Sequence, residues 1–254
     1  MDLRLDGRRA VVTGGSKGIG LAVGKALAAE GVRVALVARG EEALAAAAAQ
    51  VPGAVAVSAD TGDDASVAAL AREVNERLGG VDILVNAAAT PSSGRFEESD
   101  LEAEINVKVR GYLRTARAFA PGMTAAGWGR IVNISGLAAR QSGSLVGSVR
   151  NVAVAALTKN LADELGPQGV NVVVVHPGLT RTEKTPQTLA AMAAARGVEA
   201  ADVERAAVAG ISIGRIVTAE EVASVVAFLA SPLSVAINGD AIAVGVGAKG
   251  AIHY

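Results

Sequence analysis

Short runs of β-branched residues alternate along this chain with stretches of helical periodicity, and most changes of period fall on a glycine. Residues 10–13 (AVVT) stop at Gly14, after which Ile19, Val23, Ala26 and Leu27 recur at helical spacing until Gly31. Residues 32–38 supply the next strand, and the alanine-rich stretch 41–50 the next helix, broken by Pro52 and Gly53. Val67, Leu70, Val74 and Leu78 mark one face of a further helix, which Gly79 and Gly80 stop ahead of a strand over 81–86. Residues 131–134 and 170–175 are near-continuous β-branched runs, as expected of parallel strands covered on both faces. A helix over 146–165 separates them and ends at Gly166 and Pro167. Parallel strands need crossover helices, and these cover both sides of the sheet. The pattern therefore predicts an α/β fold with a doubly wound parallel sheet.

Composition narrows the functional classes. At 254 residues, 51% of them hydrophobic, with a formal net charge of −1, the chain can bury a sizeable core and lacks the signature of disorder. It is expected to form one domain over 1–254. The two charge signs are interspersed, which argues against nucleic acid as the partner and for a small-molecule substrate. With no cysteine there is no disulfide, zinc-thiolate site or thiol nucleophile, and no metal site is expected. The first ten residues carry both charge signs and no apolar run of the export type, so a cytoplasmic location is expected. The longest uncharged run, 222–239, contains Pro232, Asn238, Gly239 and three serines, and reads as a core helix and a turn with no membrane partner. Residues 180–214 lack clear periodicity and are expected to form a substrate-side lid or insertion.

Residues 13–20 read TGGSKGIG, with glycines at 14, 18 and 20 between the first strand and the first helix. Glycines there let the backbone approach a pyrophosphate, whose charge the free amides and positive end of the helix attract. The spacing differs from G-x-G-x-x-G. It matches the TGxxxGxG turn of the short-chain dehydrogenase/reductase family through Thr13, Gly14, Gly18 and Gly20, and the resemblance to that family covers essentially the whole chain. Asn86, Ala87, Ala88 and Ala89 echo its NNAG segment, with alanine in the last place. Asp60, followed by Thr61, matches its acidic residue after the third strand. Its helix asparagine corresponds to Asn106, its catalytic-strand serine to Ser135, and its PG-x-x-x-T segment to Pro177, Gly178 and Thr182.

The resemblance implies a Rossmann-like fold, a nicotinamide dinucleotide cofactor and a carbonyl or alcohol substrate. It places the cofactor on Gly14, Ser16, Lys17, Gly18, Ile19, Gly20, Arg39, Asp60, Thr61, Asn86, Ala87, Ala88, Asn151, Pro177, Gly178 and Thr182, with Ser135 and Asn106 as catalytic residues. It also implies a homodimer or homotetramer, for which 107–119 and 153–165 offer apolar surface. The ending 238–247 resembles the family's glycine-paired tail, interrupted by Val246. An acidic residue about 20 positions beyond the glycines binds the ribose hydroxyls of NAD, whereas a basic one accommodates the 2′-phosphate of NADP. Ala38 and Arg39 stand at that corner and Lys17 adds a cation, so NADP is favoured; Glu41 and Glu42 keep NAD compatible.

The family's catalytic pair is missing. In Y-x-x-x-K the tyrosine donates the proton, while the lysine lowers its pKa and binds the nicotinamide ribose. Matching 151–165 to the family's helix puts Gly147 at the tyrosine and Asn151 at the lysine, and sliding by one gives Ser148 and Val152. The conclusion does not depend on that match, because the only tyrosines are Tyr112 and Tyr254 and neither begins the motif. Gly147 is expected to enlarge the pocket. A positioned general acid contributes about 10²- to 10⁴-fold, so proton delivery must be altered or absent. Arg150 is a nearby cation but a poor proton donor. His176 lies at a strand's carboxyl end, and histidine ordinarily titrates near neutrality. Tyr254 and His253 could reach a neighbouring subunit's site, while Tyr112 and Trp128 read as core or interface residues. Three functions fit: an NADP(H)-dependent oxidoreductase with a non-standard site, an inactive nucleotide-binding sensor or partner subunit, and a non-redox isomerase or dehydratase using Ser135 and Asn106.

Overall fold

A computed structural model describes residues 1–89, 98–142, 144–245, 247 and 249. The predicted alternation is present. In chain order it runs β1 (Arg9–Thr13), α1 (Gly18–Ala29), β2 (Arg33–Ala38), α2 (Glu41–Ala48), β3 (Val55–Ser58), α3 (Asp64–Leu78), β4 (Ile83–Asn86) and α4 (Glu98–Glu104). A π-helical turn, Ile105–Arg110, leads into α5 (Gly111–Ala125), followed by β5 (Gly129–Ile134), a 3₁₀ turn (Leu137–Arg140), α6 (Leu145–Leu165) and β6 (Val170–Pro177). Then come β7 (Thr180–Arg181), α7 (Thr185–Arg196), α8 (Ala200–Ala209), β8 (Val217–Thr218), α9 (Ala219–Ala230) and β9 (Ala241–Val244).

Among the described residues, seven strands form one sheet in the order β3-β2-β1-β4-β5-β6-β9, every pair parallel. Alternate residues along each strand face opposite sides. Ala10, Val12, Leu36, Val85, Val132 and Val175 pack under α1, α2 and α9. Val11, Val37, Leu84, Ile131 and Val172 pack under α3, α5 and α6. Both faces are thus apolar, which is why the strands read as continuous hydrophobic runs. The order reverses between β1 and β4, and in open α/β sheets a crevice opens at the carboxyl ends of the strands at such a switch point.

The core carries one polar seam across the centre of the sheet. Asn86 Nδ2 donates to Asn133 Oδ1 (3.0 Å), Asn133 Nδ2 to Thr158 Oγ1 (3.0 Å), and Thr115 Oγ1 to Asn86 Oδ1 (2.7 Å). All four side chains are fully buried, so each satisfies a group whose burial alone would be unfavourable. The segment 180–214, without clear periodicity in sequence, holds β7, which pairs with β8, and the short helices α7 and α8. These two close on a small cluster of their own, Leu189, Ala193 and Val203. Among the described residues, no helix is long and apolar enough to cross a membrane, and no group of acidic and histidine side chains could hold a metal ion.

Candidate functional site

The glycine turn sits where β1 and β4 diverge. Gly14 adopts φ +67°, and a Cβ there would lie 2.7 Å from the Ala87 carbonyl carbon, so the turn and the end of β4 touch along their backbones. Thr13 Oγ1 secures the contact by accepting from the amides of Ala87 (3.2 Å) and Ala88 (3.3 Å). The N-cap residue Lys17 makes no side-chain cap at the start of α1, so the first amides face the crevice with the positive end of the helix behind them. The Gly18 amide donates to Glu183 Oε2 at 3.2 Å.

From this turn a cleft of about 470 Å³ runs along the strand ends, lined by Ser16, Lys17, Ile19, Gly20, Arg39, Asp60, Thr61, Ala87, Ala88, Ser135 and Thr182 among others. Cations gather at one end. The Lys184 side chain beside it, then burial, holds the Lys17 ammonium below the usual lysine range, with Arg39 adding to the effect and Glu183 opposing it. Asp60 shapes the neighbouring rim, its Oδ1 accepting from the Gly62 amide at 2.8 Å. A second cavity of about 680 Å³ adjoins the first through Ile19 and Ser135, and is lined by Asn151, Pro177, Gly178 and Leu179 together with Ala207 of α8. The predicted residues are therefore brought together at one sheet edge, with two exceptions.

Asn86 lies beneath the cleft, its amide engaged in the central polar seam, so it braces Ala87 and Ala88 from below. Asn106 also faces elsewhere. Its Nδ2 donates to the Gly62 carbonyl (3.0 Å) and its Oδ1 accepts from Arg114 Nη1 (3.0 Å), which ties the π turn to the start of α3. The residue that the π turn presents beside Ser135 is instead Lys108, which lines the cleft, is 4% exposed, and donates from Nζ to the Ser135 carbonyl at 3.0 Å. Burial pushes this ammonium down to about 8. A sequence signal for it existed: Lys108 precedes Tyr112, Ala116 and Phe119 at helical spacing, so it falls on the buried stripe of α5.

The other candidates for proton delivery have other roles. Tyr112 is fully buried, its hydroxyl donates to the Ile134 carbonyl at 2.9 Å, and burial raises its pKa far above the phenol range. His176 is 1% exposed, and burial, then Arg140 and Lys108, push it down to about 4, so its imidazole is neutral near pH 7. Arg150 pairs with the buried carboxylate of Glu104. Tyr254, His253 and Val246 lie outside the described residues. Gly147 does not open the pocket as expected: a Cβ there would meet Ser144 Oγ at 2.7 Å and Ala138 Cβ at 3.5 Å, because Ser144 caps α6 by accepting from the Gly147 amide. Ser135 turns its hydroxyl onto the Asn151 carbonyl (3.2 Å), and Asn151 Oδ1 is buried without a hydrogen-bond partner among the described residues.

A doubly wound parallel sheet with a glycine-rich, cation-flanked cleft at its switch point defines a nucleotide-binding α/β protein. The pattern of the family described as enoyl-(acyl carrier protein) reductase matches residues 14–249. The chain belongs to the short-chain dehydrogenase/reductase family, whose members are NAD(P)-dependent. It is 34% identical over 237 residues to a sorbitol dehydrogenase of Cereibacter sphaeroides, covering 91% of this chain and 93% of that one. It is 33% identical over 240 residues to a galactitol 2-dehydrogenase of Agrobacterium fabrum, covering 90% and 92%. Its fold superposes on an L-sorbose reductase of Gluconobacter frateurii, solved with NADPH and L-sorbose, with a TM-score of 0.93 at 28% identity, covering 99% of this chain and all of that one.

Proposed function

We propose that this chain is an NADP(H)-dependent oxidoreductase acting on a small carbonyl or alcohol of the polyol and sugar class, with proton delivery reorganised around the missing tyrosine and lysine. One observation carries the cofactor choice: Lys17, Arg39 and Lys184 converge beside the glycine turn, where a 2′-phosphate would need positive charge. The backbone fits the group. Gly14 and Gly18 adopt positive φ, and the lack of a Cβ at Gly14 lets the turn pack on Ala87, a tight turn that presents the α1 amides to a pyrophosphate.

Gly14, Ser16, Gly18, Ile19 and Gly20 would hold the pyrophosphate, Asp60 and Thr61 the adenine, and Thr182 and Gly178 the nicotinamide half. The dinucleotide, when bound, supplies the hydride. The substrate class is supported by the polyol and sugar relatives and by the second cavity next to Ser135, where Gln141, Asn151 and Thr180 offer polar side chains. The segment 180–214 serves in this reading as a lid, and Leu145, Val149 and Val152, an exposed apolar stripe on α6, support pairing of two copies there.

A second reading, a dinucleotide-binding protein without turnover, is favoured by Ser135, whose hydroxyl is engaged by the Asn151 carbonyl. Titration with NADPH and NADH, followed by turnover assays on a polyol and ketose panel, separates the two. Turnover supports the first reading, NADPH binding without turnover the second, and absence of any dinucleotide binding overturns both.

A further inference from the structure

A lysine buried to 4% exposure is unusual unless paired, and among the described residues no carboxylate is paired with Lys108. An ammonium has three N–H donors, and one of them is accounted for, on the Ser135 carbonyl at 3.0 Å. A methionine of similar length would fill the same space without removing a charge from water. The side chain lines the cleft beside Ser135, where the cofactor cleft and the second cavity meet. Ser135 in turn donates to the backbone carbonyl of Asn151, so it links the cation on the π turn to the α6 backbone at 151.

We propose that Lys108 is the proton donor of this site, supplying from the π turn the proton that neither Gly147 nor Asn151 can. The inference rests on the cofactor reading above. In carbonyl reduction the N–H bond at Lys108 Nζ breaks and an O–H bond forms at the substrate oxygen. The hydride to carbon comes from the reduced dinucleotide, and the neutral amine regains its proton from water. Burial alone, with no carboxylate opposing it, brings the ammonium down to about 8, close to working pH.

Burial is the cause of the lowered Lys108 value, and the charged and titratable groups on the surrounding elements are engaged elsewhere or neutral. His176 on β6 is held neutral near pH 7. Arg140, on the 3₁₀ turn, donates to the Ala241 carbonyl. Glu104 and Arg150 pair with each other across α4 and α6. Tyr112, on α5, stays protonated. In the cleft itself Lys17, Glu183 and Lys184 cluster at the glycine turn.

The test is the affinity for NADP⁺ and for NADPH from about pH 6.5 to about 9.5, measured by calorimetry on the wild-type chain and on Lys108→Met and Lys108→Arg, a range that spans the depressed lysine value. A protonated amine near the nicotinamide repels the cationic oxidised ring and not the neutral reduced one. The ratio Kd(NADP⁺)/Kd(NADPH) of the wild type is expected to fall about tenfold as pH rises. Lys108→Met should hold the ratio flat at the wild type's high-pH limit. Lys108→Arg, charged throughout, should hold it flat at the low-pH limit; if the methionine variant does not fold, the arginine variant decides. A pH-independent ratio in the wild type, or an unchanged pH dependence in either variant, overturns the proposal while the cofactor reading stands. A chain that binds neither dinucleotide overturns both.

Discussion

Glu183 places its carboxylate on the Gly18 amide, Oε2 to N at 3.2 Å, at the same helix start whose exposed amides make it an anion site. The carboxylate comes from the first residues after β7, so the edge of the 180–214 segment reaches across the cleft to the glycine turn. It occupies there the kind of position a phosphate oxygen takes at a helix N-terminus. A dinucleotide seated on that amide has to displace it, and Lys184 and Thr182 on either side then face the ligand.

Glu183→Gln should therefore tighten NADPH binding. Removing an anion at a helix start is worth about 0.3–1 kcal/mol, which is about a two- to fivefold lower Kd, read by fluorescence titration. A weaker affinity would mean that Glu183 contacts the bound ligand instead of competing with it.

Arg39→Asp should reverse the dinucleotide preference. It removes a charge-assisted contact worth about 1.5–3 kcal/mol and introduces an acid suited to ribose hydroxyls. The NADPH affinity should drop by about 10- to 100-fold and the NADH affinity rise. An unchanged ratio would place Arg39 outside the phosphate contact.

Lys108→Met should stabilise the fold near neutral pH. The folded-state pKa of Lys108, about 8, lies below the unfolded lysine value. The unfolded chain therefore binds more protons between the two values, and wild-type stability rises with pH across that window. The methionine variant lacks this slope and should be more stable at pH 7 by about 1–3 kcal/mol, measured by urea unfolding. A variant less stable than wild type at pH 7 would show that the ammonium is stabilised by more than the Ser135 carbonyl.

Asn133→Ala should destabilise the fold without touching the cleft directly. It leaves Asn86 Nδ2 without its acceptor in a fully buried seam, at a cost of about 1–3 kcal/mol in the same unfolding assay. A loss under about 0.5 kcal/mol would mean that the seam re-pairs around the gap.

The strands and the helices that flank them were legible because near-continuous β-branched runs alternate with stretches of 3.6-residue periodicity and glycines mark most of the changes. The turn at 14–20 and the corner at Arg39 follow from that register. Asn106 was assigned by resemblance, whereas helical spacing puts Lys108 on the buried stripe with Tyr112, Ala116 and Phe119; a residue two positions away points to nearly the opposite side, so Lys108 reaches Ser135 and Asn106 turns to Gly62 and Arg114. The consequence of Gly147 was also invisible in sequence, since Ser144 fills the space by capping α6. Helices α7 and α8 gave no pattern because alanine on every face leaves little contrast between buried and exposed sides. The absence of the tyrosine-lysine pair, by contrast, could be read from composition alone.

The most direct test of the account is a calorimetric titration of the wild-type chain with NADPH and with NADH at neutral pH. The cation cluster at Lys17, Arg39 and Lys184 predicts micromolar NADPH binding, at least about tenfold tighter than NADH. Equal or tighter binding of NADH, or no binding of either, would contradict it.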